Sequence, residues 1–144
     1  MKAINQIRLT FPSRSTNEGF ARVTAAAFAA QLDPTVEEIS EIKTAVSEAV
    51  TNCIVHGYGD KLGPITLTGR IYEGGRLILI IKDRGKGIED IAQAMEPLFT
   101  TGNEEERSGM GFTIMETFMD KVKVRSKPGS GTTVTFTKQI SPKD

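Results

Sequence analysis

Cysteine and histidine are almost absent from this 144-residue chain, which contains one residue of each. A single cysteine, Cys53, cannot form a disulfide within the chain. Zinc sites and Cys-His catalytic pairs both need several such side chains converging on one point, so neither kind of site is expected. Cys53 lies among regularly spaced apolar residues and is predicted to be a small core residue.

The chain also lacks an excess of either charge and any long hydrophobic run. Its 18 basic and 18 acidic residues give a net charge of zero, so no overall attraction to nucleic acid or to an anionic membrane is expected. The longest aliphatic run, residues 77–81, is too short to cross a bilayer, and the start of the chain does not resemble a signal peptide. We expect one cytoplasmic domain over residues 1–144, without direct nucleic-acid or membrane partners.

The strongest pattern that is present covers residues 35–58. Apolar residues recur there every three or four positions, which predicts an amphipathic helix facing a core. Thr35 and Glu38 have the spacing of a capping box, and Gly57 is expected to form a left-handed C-terminal cap. Glu48 and Asn52 lie four residues apart, side by side at the edge of the apolar stripe. Taken alone, they could be a solvated glutamate and a tolerated asparagine.

Strand and helix signals follow on both sides of this helix. Period-two alternation and turn residues predict two antiparallel hairpins and a separate edge strand. The aliphatic strand should be central in the sheet or covered on both faces. The predicted strands are residues 6–11, 65–73, 76–83, 121–126 and 132–138, and further helices are predicted at residues 19–32 and 112–119.

Two local features of the first part of the chain have open interpretations. Ser15 and Glu18 have the spacing of a second capping box, at the start of the first predicted helix. Arg22 on that helix is an ordinary exposed charge or, as the alternative, a contact to a partner.

The segment between the hairpins, residues 85–111, is rich in glycine and carries an acidic run at residues 104–106. It is too long for an idle connection in a compact domain. Long loops with glycine hinges commonly form lids over binding sites. We therefore expect a lid at about residues 88–108.

Two short motifs flank this lid. Asp83-Arg84-Gly85-Lys86-Gly87 follows the aliphatic strand, and such an aspartate can accept a hydrogen bond from an amino group, such as N6 of adenine. Residues 108–111, Ser-Gly-Met-Gly, open the next helix, where free N–H groups and the helix dipole attract phosphate. Alone, the Asp83 motif is at least as consistent with a structural turn, and the motif at residues 108–111 is also weak evidence by itself. The glycine motifs of P-loop proteins and of protein kinases are missing.

The order of four elements along the chain is more specific than any one of them. The elements are Glu48-x-x-x-Asn52, Asp83-x-Gly85-x-Gly87, Gly109-x-Gly111 and Gly131-Thr132-Thr133. This set resembles the Bergerat-type ATP-binding fold shared by gyrase-type ATPases, the Hsp90 chaperone, histidine kinases and MutL. The resemblance covers almost the whole chain. It implies a two-layer α/β sandwich, with a mixed, mostly antiparallel sheet and helices on one of its faces.

The resemblance also implies roles for individual residues. Glu48 would be the general base, Asn52 would hold Mg²⁺ that bridges the phosphates of ATP, and Asp83 would bind adenine. Thr133 would support adenine through its hydroxyl group. Arg107 is a candidate contact to the γ-phosphate or, equally, a solvated lid charge. The remaining implied nucleotide contacts are Gly85, Gly87, Thr100, Thr101, Ser108, Gly109, Met110 and Gly111.

Three longer segments point to one branch of this superfamily. The segments EAVTNCIVHGY, EPLFTT and ERSGMGFTIMETFMD are similar to small bacterial anti-sigma factors that are also serine kinases, most closely those of sporulation. That family implies a homodimer that holds a sigma factor when ATP is bound and phosphorylates a serine of an anti-anti-sigma protein. Its sibling for the general-stress sigma factor is one alternative, and a nucleotide-gated binding module without kinase activity is another.

Overall fold

A computed structural model describes residues 2–96 and 111–141 of the chain. Five strands form a single sheet in the order β1-β2-β3-β5-β4, and the helices pack on one of its faces. The strands are β1 (Asn5–Pro12), β2 (Pro64–Tyr72), β3 (Arg76–Asp83), β4 (Lys121–Lys127) and β5 (Gly131–Gln139), and the helices are α1 (Asn17–Ala29), α2 (Val36–Asn52), α3 (Ile91–Ala94) and α4 (Gly111–Phe118).

The predicted two-layer sandwich is confirmed, with β1 at an edge of the sheet and the aliphatic strand β3 at its centre. All four strand pairings within the described residues are antiparallel. The expected mixed character of the sheet is therefore not seen. Each hairpin reverses the chain direction, and the two hairpins meet through β3 and β5, which also run in opposite directions.

The core lies between the sheet and α2. Leu79 and Ile81 of β3 pair in register with Phe136 and Val134 of β5, and all four side chains point toward the helices and are buried. The buried face of α2 covers them with Ile42, Ala45, Val46, Ala49 and Val50. The alanines on the inner face of α1 are fully buried, so α1 can pack closely against α2. Within residues 2–96 and 111–141, no helix has the length and apolarity needed to span a membrane.

The two predicted capping boxes have different outcomes. At α2, the Thr35 hydroxyl accepts from the Glu38 N–H at 3.0 Å, and the Glu38 carboxylate accepts from the Thr35 N–H at 2.8 Å. The box at Ser15 is wrong, because α1 begins at Asn17 without a side-chain cap. The Glu18 carboxylate accepts a hydrogen bond from the Ser47 hydroxyl of α2 at 2.5 Å instead. The Glu18 carboxylate, which the local pattern assigned to the cap of α1, therefore makes a tertiary contact with α2.

Gly57 does not cap α2 in the predicted way. The α-helix ends at Asn52 and continues as a π-helical segment, Cys53–Tyr58, after which Gly59 adopts a positive φ of 60°. Gly57 instead makes a close contact with the end of β3. A Cβ atom at Gly57 would lie 3.0 Å from both Cγ and Oδ2 of Asp83. The π-helical segment thus brings the backbone of Gly57 against the end of β3.

The first part of the expected lid contains a short helix that the sequence patterns did not predict. This helix, α3, is capped by Asp90, whose carboxylate accepts from the Gln93 N–H at 3.0 Å. Just before it, the Ile88 N–H donates to the Ser126 hydroxyl at 2.7 Å, which ties the start of the segment to β4. The rest of the expected lid, from residue 97 onward, lies outside the described residues, so the lid at about residues 88–108 stays a prediction.

Candidate active site

Asp83, the last residue of β3, is held with its carboxylate in a fixed orientation. Its side chain is buried, and the Oδ1 atom accepts from the backbone N–H groups of Gly85 at 2.8 Å and of Thr132 at 3.3 Å. Both carboxylate oxygens lie within 3.1 Å of the position that a Cβ atom would take on Gly57. Two strands and the π-helical segment therefore converge on one carboxylate.

Glycine allows these backbone segments to touch. A Cβ atom at Gly85 would lie 2.0 Å from the carbonyl oxygen of Gly57, and one at Gly131 would lie 2.2 Å from the carbonyl oxygen of Asp83. Gly87 has a positive φ of 77° and a similar approach to the Lys127 carbonyl. The Lys86 N–H donates to the Gly57 carbonyl at 2.9 Å. The predicted glycines Gly85 and Gly87 thus shape the surroundings of Asp83 by close backbone packing.

The pKa of Asp83 depends on burial and on its hydrogen bonds, one of which comes from Cys53. The sequence patterns did not predict this contact. Burial raises the pKa of Asp83, while hydrogen bonds from Gly85, Cys53 and Thr132 lower it in part. Burial also raises the pKa of the Cys53 thiol well above its usual value, so the thiol stays protonated and can donate to Asp83. Cys53 is a buried core residue, as predicted, and it also supports the carboxylate.

Glu48 and Asn52 form the other end of the site, against the start of α4. A Cβ atom placed on Gly111 would lie 3.3 Å from Glu48 Oε2, 3.5 Å from Asn52 Nδ2 and 3.7 Å from Asn52 Oδ1. The fold thus brings together three residues that are up to 63 positions apart in the sequence. Burial raises the pKa of the half-buried Glu48, and the nearby negative charge of Glu18 raises it further. A carboxyl group tuned in this direction is suited to take up a proton.

Thr133 does not join the site. It pairs in register with Lys82 of β3 and Arg125 of β4, on the face of the sheet that points away from the helices. Its neighbour Thr132 lies on the inner face, donates its backbone N–H to Asp83, and has its hydroxyl 2.8 Å from that of Ser126. The buried positions Val134 and Phe136 share the parity of Thr132, so the alternation of β5 could have identified Thr132 in advance.

Six of the predicted contacts cannot be compared with the structure. They are Thr100, Thr101, Arg107, Ser108, Gly109 and Met110, and all lie outside the described residues. Within the described ranges, no group of three or more His, Cys, Asp or Glu residues is arranged to hold a metal ion. The Asn52 amide oxygen stays the predicted ligand of an ion at this site.

Comparison with known proteins identifies the protein family to which the chain belongs. Residues 11–138 match the family model of the histidine kinase-like ATPase domain. The chain therefore belongs to the family of histidine kinase-like ATPase domains.

Curated relatives identify a smaller family within the histidine kinase-like ATPases. The anti-sigma F factor of Thermoanaerobacter sp. (strain X514) is 61% identical over 97% of this chain and 97% of its own length. The anti-sigma F factor of Anoxybacillus flavithermus is 56% identical over 95% of this chain and 94% of its own length. Within the histidine kinase-like ATPases, the chain is a member of the anti-sigma F factor family.

Solved structures agree on the fold. The RsbU and RsbW domains of Rv1364c from Mycobacterium tuberculosis superpose with a TM-score of 0.69 at 20% identity, over 96% of this chain and 32% of that one. The histidine kinase domain of a blue-light activated kinase from Erythrobacter litoralis gives a TM-score of 0.59 at 22% identity, over 85% and 65% of the two chains. Similarity at these identities shows a shared architecture and nothing finer.

Proposed function

We propose that this protein is an anti-sigma factor that inhibits a sporulation sigma factor in an ATP-dependent way and phosphorylates a serine of an anti-anti-sigma protein. The observation that carries the proposal is the arrangement of Glu48 and Asn52 against Gly111, in a chain 61% identical to an anti-sigma F factor. A proton acceptor, an amide oxygen and the start of a helix meet there. These are the parts that a phosphoryl transfer from ATP to a hydroxyl group needs.

The Asp83 end would bind the adenine base. Because Oδ1 already accepts two backbone N–H groups, Oδ2 is the oxygen that would accept from the adenine N6 amino group. The close backbone packing at Gly85 and Gly131 would hold the carboxylate in place to accept that hydrogen bond. The hydroxyl that supports the base would belong to Thr132, in place of Thr133.

The phosphate end fits Mg²⁺ bound together with a nucleotide. Mg²⁺ usually takes one or two protein oxygens and completes its shell with phosphate oxygens and water, so the single amide oxygen of Asn52 suits it. When bound, the ion would neutralise charge on the phosphates. Gly111 places the start of α4, whose first backbone N–H groups have no partner within the helix, next to the same point. The predicted lid contacts at Thr100, Thr101, Arg107, Ser108, Gly109 and Met110 would complete the phosphate site.

Glu48 would act as the general base. Its carboxylate would accept the proton of the incoming serine hydroxyl as the hydroxyl oxygen attacks the γ-phosphorus and the bond to the β-phosphate oxygen breaks. The raised pKa brings the carboxylate closer to the value of an effective base near neutral pH. Most of the acceleration would come from holding the two reactants in line.

The proposed setting follows the family resemblance. The protein would act in the cytoplasm as a homodimer, with a sigma factor and an anti-anti-sigma protein as its partners and residues 1–144 as one domain. The general-stress sigma factor is the alternative target, and a direct comparison of binding to the two sigma factors would distinguish them.

The decisive test is incubation of the protein with labelled ATP, Mg²⁺ and a purified anti-anti-sigma protein, with retention of the sigma factor measured in parallel. Glu48→Gln should reduce phosphorylation roughly 10²- to 10⁴-fold and leave ATP-dependent sigma retention intact, because only the proton acceptor is lost. Asn52→Ala should weaken both activities, because the phosphates lose an anchor.

Glu37→Gln is the matched control, since Glu37 is an exposed glutamate in the first turn of the same helix and far from the site. It should change neither activity. Phosphorylation at the normal rate by Glu48→Gln would remove the proposed base. Absence of any phosphorylation by the unsubstituted protein would favour a nucleotide-gated binding module.

A further inference from the structure

The face of the sheet that points away from the helices, here called the outer sheet face, has an unusual charge distribution. The five strands contain one acidic residue, Asp83, and it points inward to the candidate site. Of the nine basic residues in the strands, only the buried Lys138 lies on the inner face. The outer sheet face therefore carries eight basic side chains and no acidic one. The net charge of the whole chain is zero, so it does not reveal that the basic residues of the strands lie on one face of the sheet.

Five of the eight charges lie on the edge strands, one on β1 and four on β4, and the other three are Arg70 on β2 and Arg76 and Lys82 on β3. One row across the sheet reads Arg8, Thr68, Ile80, Thr135 and Lys123 from β1 to β4. Both edge strands contribute a basic side chain, and the positions between them are threonine and isoleucine. The flanking rows repeat the pattern in part, with Lys121 and Arg125 of β4 on the same side as Lys123.

These charges are not neutralised by the described part of the protein. The ion pairs found among residues 2–96 and 111–141 join Glu18 to Arg22 and Glu41 to Lys138, and neither pair involves the outer sheet face. The Arg76 guanidinium lies 4.8 Å from the centre of the Tyr72 ring, which it covers. Eight like charges on one face with no carboxylate among them repel one another, so an anionic partner would be attracted there.

The shape of the face restricts the kind of partner. Five strands give four spacings, so the two edge columns are about 19 Å apart across the sheet. In the row of Arg8 and Lys123, short threonine and isoleucine side chains form a floor between two long basic side chains. Along β3, Arg76 and Lys82 lie at the two ends of this floor. A helix with its side chains is about 10–12 Å wide and fits between those edges. Half-buried Ile78 and Ile80 give the floor an apolar centre.

We propose that the outer sheet face is a docking surface for an acidic amphipathic helix of a partner protein. The helix would lie along the strands with a narrow strip of apolar residues on Ile78 and Ile80. Glutamates or aspartates on its two flanks would reach Arg8 on one side and Lys123 on the other. An apolar centre within a charged rim is the usual composition of a specific protein interface.

Other occupants fit the face less well. Single-stranded nucleic acid is bound by stacking its bases on exposed aromatic rings, and the one aromatic residue on this face, Tyr72, is covered by Arg76. A second copy packed face to face would bring eight basic groups against eight others. A flat anionic membrane would contact the basic rim and leave the apolar floor unused.

The test measures binding of synthetic peptides to the full chain by fluorescence anisotropy. One 18-residue helical peptide carries a leucine and alanine strip flanked by glutamates, and its isomer has the same composition in an order that destroys the strip. We expect the ordered peptide to bind at least tenfold more tightly than the isomer. The double substitution Arg8→Glu with Lys123→Glu should weaken that binding at least tenfold.

The matched control reverses two exposed basic residues away from the outer sheet face, Arg14→Glu with Lys61→Glu, and should change the affinity less than twofold. Thermal unfolding and ATP binding of both variants should match the unsubstituted protein. Equal binding of the two peptides, or an equal loss with the control pair, would overturn the proposal. So would tighter binding of a 20-base-pair DNA duplex or of phosphatidylglycerol vesicles, or a change from dimer to monomer in sedimentation of the reversed variant.

Discussion

The two ends of the candidate site are built in different ways. At the Asp83 end, the site is shaped by backbone against backbone, with Gly85 and Gly131 each too close to a neighbouring carbonyl group to carry a side chain. At the other end, Glu48 and Asn52 project from α2 toward the start of α4. The shape of the first end depends on glycines that have no side chain, and the second end depends on the chemistry of two side chains.

This difference determines how each end should respond to substitution. Added volume at the Asp83 end forces three segments apart, so it should act on folding and on binding together. Substitution of a side chain at the other end, with the size kept, should act on the reaction and leave the fold in place. The following predictions test that contrast, from the largest expected effect to the smallest.

Gly131→Ala should lower the free energy of unfolding by about 2–4 kcal/mol, because it combines an unfavourable positive φ with a clash against the Asp83 carbonyl. Gly129→Ala is the matched control, since Gly129 also has a positive φ but has no atom within 4 Å of a Cβ position. It should lose only about 1 kcal/mol. Urea unfolding measures both values. Equal losses would show that backbone conformation, and not contact at Asp83, limits this position.

The phosphorylation rate should fall about tenfold per pH unit on the acid side of the Glu48 pKa, because only the ionised carboxylate accepts a proton. Burial and the charge of Glu18 raise the pKa of Glu48, so this fall should occur above the ordinary glutamate value of 4.5. Glu18→Gln removes one of the two causes and should move the acid limb to lower pH. A pH–rate profile of both proteins measures the shift, and a limb that stays in place or moves upward would argue against Glu48 as the base.

Asp83→Asn should weaken ATP binding at least about fivefold, because the charge is lost and the amide can flip. The unfolding free energy of the nucleotide-free protein should not fall. Since the pKa of Asp83 is raised by folding, its ionised form costs stability as pH rises through the folded pKa, and asparagine resembles the neutral form. Calorimetry with ATP and urea unfolding measure the two quantities. Unchanged ATP affinity would remove Asp83 from the site.

Thr132→Val should weaken ATP binding by about 0.5–1.5 kcal/mol, the usual value of one hydrogen bond, because its hydroxyl lies on the site face of β5. Thr133→Val should leave the affinity unchanged, because Thr133 points to the outer sheet face. The same calorimetric titration compares the two variants. The reverse order of effects would restore Thr133 as the residue that supports the base.

Several features of this protein could be predicted from the sequence because they depend on neighbours along the chain. Period-two and helical spacing located all five strands, α1 and α4 to within a few residues, and they located the start of α2, whose α-helical part ends at Asn52 and not at Tyr58. The capping box of Thr35 and Glu38 was also predicted, because its two partners are three residues apart and need no tertiary contact. The identity of Asp83, Glu48 and Asn52 as one site was inferred from resemblance, since their separation along the chain gives no local signal.

Only the tertiary structure decided the features that depend on which segments meet. Gly57 packs closely against Asp83, and the Glu18 carboxylate accepts a hydrogen bond from Ser47 of α2 and does not form the expected cap. Thr132 is the candidate to support the base, and Thr133 is not, because Thr132 lies on the face of the sheet that α2 covers. The segregation of the basic residues has the same origin. Alternation places residues on two faces of each strand, but packing of the helices on one face decides which charges remain together on the other.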